Sequence, residues 1–469
     1  MIFGDASEHP ERAGPGRVGE IVYTSGQRTM PTRLQRHRTR VLAAFLTLVV
    51  LGGTVAACDS TGKADPSGAT VSYWAVSMAP TVAADEAVLK RELSRFTNQT
   101  GIHVDLRVLG WADLYTRLMA AVTSGRGPDL IDIGNTWSAS LQATGAFLPF
   151  DDQAMAAIDG PDRFVATCLS ATGAVGQPPA SIPLYAQSVG LYYNTKLFAA
   201  AGITHPPATW AEFVTDAKKL TKPGQWGVGL AGASATGNAQ LAFMLGRQNG
   251  AQLFDAKRHP QFDTEAEQAA VTRLLGLMVT DKVVNPSDAE HSGINDALAE
   301  LAQGKAAMVA FQSAGRGYFS SIGFADYAVA PLPVLDPLPP GGAAVQSFVA
   351  GTNVAIFKNT AHKQAALQLV RFLTSDTEQV VLNKAFGTLP VVTGAATDPG
   401  FADPTTRTFT TILRSHAETM PMVPSEARME KLLGAAINEL WAKAASGSLS
   451  TGDVAAALRK ASQQMTASR

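Results

Sequence analysis

Between residues 70 and 133 the sequence switches repeatedly between two hydrophobic periods, and this restricts the fold more than any other feature of the chain. Thr70-Val71-Ser72-Tyr73-Trp74-Ala75-Val76 is β-branched and aromatic, as strands are. Leu89, Leu93 and Phe96 then recur at helical spacing among charged residues, and Ile102, Val104, Leu106 and Val108 alternate as a strand does. Leu114, Leu118, Ala121 and Val122 return to the helical period, and Asp129-Leu130-Ile131-Asp132-Ile133 is a short apolar strand. Strand, helix, strand, helix, strand with such short connections predicts a parallel α/β sheet. Ligands of such sheets gather beyond the carboxyl ends of the strands, where loops and helix N-termini converge. Here those loops are Ser77-Met78-Ala79, Leu109-Gly110-Trp111 and Gly134-Asn135-Thr136-Trp137.

The 469 residues exceed the ~250–300 at which one core usually stops growing, so two lobes are expected. Residues 181–194 are strand-like and rich in Tyr. Thr209-Trp210-Ala211-Glu212 has the spacing of a capping box opening a helix. Residues 262–310 read as mostly helical, 331–342 as a Pro- and Gly-rich loop, 354–357 as a strand, 361–373 as an amphipathic helix and the tail from 429 as helical. Lys and Arg number 38 against 39 Asp and Glu, for a formal net charge of −1. That leaves no cationic excess to neutralise phosphates, so no nucleic-acid partner is expected.

Residues 41–57 form an uncharged run preceded by Arg33, Arg36, Arg38 and Arg40. Read from Met30, the segment has the basic start, apolar middle and small-residue end of an export signal. A single-pass anchor is the competing reading, the run lying at the lower limit for spanning a bilayer. Val55-Ala56-Ala57-Cys58 resembles the lipobox of bacterial lipoproteins, in which the Cys becomes the lipidated first residue. Residues 1–57 are therefore expected to be a leader, with 1–29 a start-site artefact and 30–57 the lipoprotein signal peptide. Residues 58–69 would be a polar tether. With Cys58 lipidated, Cys168 has no disulfide partner and reads as a small buried hydrophobe.

Catalytic signatures are scarce. The His residues of the mature part are isolated, none at the i, i+4 spacing of a helical metal pair, and neither a Gly-x-Ser-x-Gly elbow nor a phosphate loop occurs. No catalytic residue, metal or cofactor is expected. Gly227-Val228-Gly229-Leu230-Ala231-Gly232 matches a dinucleotide fingerprint but reads better as a Gly-containing strand. Asp129 with Asp132, or Asp151 with Asp152, would be the carboxylates of an alternative reading, an exported glycan hydrolase. A surface lipoprotein without a small ligand is a further alternative. At the expected crevice lie the flat faces of Trp111, Trp137, Tyr185, Tyr192 and Tyr193. Neutral hydrogen-bonding groups accompany them: Asn135, Thr136, Gln187, Ser188, Gln312, Ser313 and Asn353. A sugar ring, with an apolar face and an edge of hydroxyls, suits that mixture; Trp210 and Trp226 are assigned to the core.

Several motifs recur in the order seen in the solute-binding proteins of bacterial ABC importers, in the branch like maltose-binding protein. They are Gly125-Arg126-Gly127-Pro128-Asp129-Leu130-Ile131-Asp132, Ile182-Pro183-Leu184-Tyr185, Leu191-Tyr192-Tyr193-Asn194-Thr195-Lys196-Leu197-Phe198, Gly304-Lys305-Ala306-Ala307-Met308, Gly351-Thr352-Asn353 and Gly387-Thr388-Leu389-Pro390. The chain resembles that family over nearly its whole mature length. The resemblance implies a two-lobed, class II periplasmic-binding-protein fold of the α/β class, each lobe a mixed or parallel sheet flanked by helices and the lobes interleaved by hinge crossings. It suggests one lobe from 70–185 plus 348–388 and another from 190–345 plus 392–469. Ligand-contacting positions would be Ser77, Met78, Asn135, Thr136, Trp137, Tyr185, Gln187, Ser188, Ser234, Asn238, Gln312, Ser313, Arg316, Gly351, Thr352, Asn353, Ser425 and Arg428. After Ala307-Met308, where many members carry Trp, this chain has Ala310-Phe311-Gln312, which counts against a stacked maltose-like chain. Arg316 and Arg428 could instead pair with an acidic or phosphorylated group. The implied protein is a monomer exported to the outer face of the cytoplasmic membrane and held there by lipidated Cys58. It would pass a carbohydrate to the transmembrane subunits of an ABC permease.

Overall fold

A computed structural model describes residues 66–467; the expected leader, Cys58 and most of the expected tether lie outside the described residues. The expected alternation is present. Strands β1 (Thr70–Val76), β2 (His103–Leu109) and β3 (Leu130–Gly134) are separated by helices Val82–Thr100 and Trp111–Ser124. Both β2 and β3 pair with β1 in parallel. The chain continues through β4 (Ile182–Gln187), β5 (Val189–Asn194), β6 (Trp226–Gly229), β7 (Ala306–Gln312) and β8 (Tyr327–Ala330). It ends its strands with β9 (Ser347–Phe348), β10 (Ala350–Ile356) and β11 (Ala417–Glu418). One sheet has the order β2-β1-β3-β10-β4, with β10 inserted antiparallel between β3 and β4. The other has the order β6-β7-β5-β8, and a two-stranded piece joins β11 to β9.

The two sheets are threaded by the same segments. The Tyr-rich stretch is two strands, β4 in the first sheet and β5 in the second, with only Ser188 between them. The return crossing is equally short, since only Val349 separates β9 from β10. The crossings are tied to each other and to the helix Pro404–Ser415: Val189 N–H donates to Ser347 Oγ at 2.8 Å, and Ser188 Oγ donates to the Phe409 carbonyl at 2.7 Å. Gly351 at the start of β10 has φ of 155°, and a Cβ there would lie 2.4 Å from the Tyr185 carbonyl oxygen, so only glycine fits.

Most sequence expectations for helices hold, and one does not. The Thr209 capping box forms in full, with Thr209 Oγ1 accepting from Glu212 N–H and Glu212 Oε2 accepting from the Thr209 N–H. The run after Gly304, at the end of the stretch expected to be mostly helical, is β7, an inner strand of the second sheet. Burial against neighbouring strands outweighs the weak helical preference of Ala there. The Gly-x-Gly-x-x-Gly stretch is β6 and the loop after it, as a Gly-containing strand would be.

The core does not divide by sheet. One apolar cluster runs from Val71 and Tyr73 of β1 through Tyr185 of β4 to Tyr192 of β5 and on to Phe319 and Phe409. A second lies on the other face of the second sheet, around Phe213, Phe243, Met429 and Trp441. Cys168 is buried in the first cluster, and burial pushes its thiol up to about 12, which leaves it inert at neutral pH.

Candidate functional site

The parallel strands deliver their loops to one place. Gly110 caps the helix that begins at Trp111, and β3 ends at Gly134 in a single 3-10 turn, Asn135–Trp137. Trp111, Asn135, Thr136 and Trp137 form one wall of a cavity of about 420 Å³. Gln187, at the end of β4, Gly351 and Gln312 border it at the crossings. The opposite wall is the loop after β6 and the first turns of helix Ala235–Gln248, with Leu230, Ser234, Thr236 and Gln240. The floor reaches into the second core at Trp210, Phe213, Leu274 and Leu277. Trp210, assigned to the core from sequence, is therefore cavity wall.

The aromatic rim is a cluster. Trp111 and Tyr115 both meet Trp137 edge-on, with ring centroids 6.1 and 5.0 Å away. Trp111 is 42% exposed and so offers a free face. Beneath this rim lies a pair of carboxyls that the sequence reading passed over. Trp137 Nε1–H donates to Glu430 Oε2 at 3.3 Å, and Glu426 stands one helical turn before Glu430 on Glu426–Ala445. Both side chains are buried. Neither Glu426 oxygen, nor Glu430 Oε1, has a hydrogen-bond partner among the described residues. Burial pushes Glu430 up to about 7, and burial together with the neighbouring Glu430 holds Glu426 well above the carboxylate range. Burial, with these two carboxyls, also raises the Tyr115 hydroxyl.

Of the positions named from sequence, Asn135, Thr136, Trp137, Gln187, Ser234, Gln312 and Gly351 line the cavity. The others do not, and most are held by internal contacts. Ser77 Oγ donates to Asp85, which also accepts the N–H groups of Met78 and Ala79 and so pins that loop. Met78 Sδ accepts from Thr352 Oγ1 at 3.6 Å. Tyr185 and Tyr192 are core, Tyr185 meeting Phe386 edge-on at 5.4 Å, and Tyr193 packs on Phe198 at 4.6 Å. Ser188 ties the crossing described above. Asn238 is buried between Gly232, Asn438 and Trp441. Asn353 donates to Ser138, Ser181 and the Ala171 carbonyl. Buried Ser313 offers its carbonyl to Tyr192. Arg316 is consumed by Thr406 and the Gly387 carbonyl, with Asp403 nearby at 3.7 Å. Arg428 is exposed and donates to the Gln464 carbonyl, and Ser425 precedes its helix without capping it through its side chain.

These misplacements have a physical cause. β4 is buried at every position, so alternation cannot tell a core Tyr from a cavity Gln. On Glu426–Ala445 a step of two residues turns about 200°, which carries Arg428 outward and Glu426 and Glu430 inward. The i, i+4 spacing of two acids in Glu426-Ala427-Arg428-Met429-Glu430 was the readable signal. The carboxylates of the hydrolase alternative are elsewhere. Asp129 accepts from Ser72 and Thr360, buried Asp132 accepts from Tyr73 Oη at 2.8 Å and Val76 N–H at 3.1 Å, and Asp151 caps a helix.

With this geometry in hand, comparison with known proteins is decisive about kinship. The description of the bacterial extracellular solute-binding protein family matches residues 76–380. The chain belongs to this family. It is similar to a maltotriose-binding protein of Pyrococcus abyssi, 25% identical over 338 residues, covering 70% of this chain and 69% of that one. It is also similar to an uncharacterized lipoprotein of Streptomyces antibioticus, 26% identical over 383 residues, covering 77% and 78%. Among solved structures, an ABC transporter solute-binding protein of Thermotoga lettingae bound with α-D-tagatose superposes with a TM-score of 0.73 at 19% identity. That match covers 85% of this chain and 99% of the other. The fold is the two-lobed, interleaved one of periplasmic binding proteins.

Proposed function

We propose that this solute-binding protein captures a carbohydrate between its lobes and delivers it to the transmembrane subunits of an ABC permease. In this reading the mature chain works as a monomer, tethered by lipid at Cys58 to the outer face of the cytoplasmic membrane. The observation that carries the ligand class is the cavity wall itself. The exposed face of Trp111, with Trp137 and Tyr115 packed beside it, faces neutral amides and hydroxyls: Asn135, Thr136, Gln187, Gln240 and Gln312. Aromatic faces take the C–H face of a pyranose, and amides take its hydroxyl edge. The buried Glu430 accepts the Trp137 indole N–H and so fixes the orientation of that ring. The tagatose and maltotriose proteins to which the chain is similar support the same class. Hinge closure about Ser188 and Val349 would bring the walls together.

A panel of mono- and oligosaccharides, read by tryptophan fluorescence and thermal shift, tests this. At least one sugar is expected to respond, and Trp137→Ala should weaken its binding about two- to tenfold, the scale of one aromatic contact. A response confined to amino acids or peptides would overturn the ligand class.

A further inference from the structure

Outside the cavity, the second lobe brings together three side chains that the sequence keeps apart. Asp288 sits in the 3-10 turn Pro286–Glu290, His291 is the residue that ends this turn, and Glu300 lies on helix Ile294–Ala302. One ligand atom from each lies within 4.8 Å of the others. The Asp288 side chain is 1% exposed. Its Oδ2 accepts the Leu230 N–H at 3.1 Å, while Oδ1 has no donor among the described residues. Oδ1 faces His291 Nδ1 at 3.9 Å, too far for a hydrogen bond, and that nitrogen is likewise buried without a partner. Two buried ligand atoms without a hydrogen-bond partner among the described residues, Asp288 Oδ1 and His291 Nδ1, thus converge with a carboxylate oxygen of Glu300.

A divalent cation resolves that arrangement. An ion such as zinc holds nitrogen and carboxylate ligands at about 2.0–2.2 Å, so two of its ligands stand about 3–4 Å apart. The Asp288 to His291 separation already falls in that range, and Glu300, only partly buried, needs a side-chain rotation to complete the set. We propose that Asp288, His291 and Glu300 form a binding site for a first-row divalent cation, zinc best matching one imidazole and two carboxylates. The site is placed to matter for the cavity. The turn that carries two of its ligands holds the loop after β6 through Leu230 N–H to Asp288 Oδ2, Gly232 N–H to the Asp288 carbonyl and Ala233 N–H to the His291 carbonyl. That loop supplies Leu230 and Ser234 to the cavity wall, so an ion here would stiffen one side of it.

The test uses the full, untagged chain, stripped by chelator and dialysed against Zn²⁺, with Mn²⁺ and Ca²⁺ in parallel. Expected are one equivalent of zinc retained by elemental analysis and a rise of a few degrees in unfolding midpoint at a hundredfold excess over the dissociation constant. Both should be lost in His291→Ala and in Glu300→Gln, the latter a partly exposed position whose replacement leaves the fold intact by circular dichroism. Absence of stoichiometric zinc in the wild-type chain would overturn the proposal, as would equal retention and equal shift in the Glu300→Gln variant.

Discussion

Glu212 and Glu267 occupy the same place in two helices and end in opposite environments. Each stands three residues after a Thr that caps its helix, and in both the Thr hydroxyl accepts the Glu N–H. Glu212 completes the box by reaching back to the backbone, whereas Glu267 turns inward. Its side chain is fully buried, has no hydrogen-bond partner among the described residues and abuts Gly246, where a Cβ would lie 2.2 Å from Oε2. Burial alone pushes its carboxyl up to about 8. An unfolded Glu titrates near 4.5, so between about pH 5 and 8 the folded state keeps a proton that the unfolded state has released. Stability conferred by this group is present at low pH and falls as pH rises, by at most about 1.4 kcal/mol per unit. Glu267→Gln should raise the thermal midpoint at pH 8 and change it little at pH 5. An equal effect at both pH values would show that the charge is not the cause. The capping box is read from sequence at Thr209 alone; at Thr264 the same spacing does not foretell the direction of the carboxyl, which depends on Gly246 of another helix.

At the level of elements, the cavity wall depends on how closely Glu426–Ala445 approaches Ala235–Gln248. Gly434 faces the start of the latter, and a Cβ on it would lie 1.9 Å from the Ala235 carbonyl oxygen. No side chain can yield there, since the obstacle is backbone. Gly434→Ala should cost about 1–3 kcal/mol in urea unfolding, and it should move Glu430, one turn away, relative to Gln240. Gly276, inside helix Glu265–Val279 with nothing within 4 Å of its Cβ position, is the control. Gly276→Ala should stabilise by about 0.5–1 kcal/mol through helix propensity alone. Failure of the two variants to differ in sign would refute close approach as the reason for Gly434. Helices and strands with a clean period were readable, as with β1, β2 and Trp111–Ser124. The inner strand β7 was not, since Ala306-Ala307-Met308 carries no alternation when both faces are buried.

On the scale of the molecule, the proposed function would join anchor and cleft in one design, a tethered receptor closing on its ligand. If Cys58 carries the lipid, Cys58→Ser should shift the protein from the detergent phase to the soluble fraction; unchanged partitioning would sink the anchor. Firm attachment should need more than one acyl chain, because a single chain holds only marginally. By itself the sequence determined the βαβαβ start, the parallel pairing around β1, the placement of Trp111 and Asn135-Thr136-Trp137 at the strand ends, and the family. The strands and loops follow from local periods and short connections, which leave few alternatives, and the family from the ordered motifs it resembles. Only the tertiary structure decided that β10 enters antiparallel beside β3, that Arg316 and the core tyrosines turn away from the cavity, and that Glu430 meets Trp137 across 293 residues of chain. Such contacts arise where segments cross between sheets, and a periodic pattern records which face of an element is buried but not what that face is buried against.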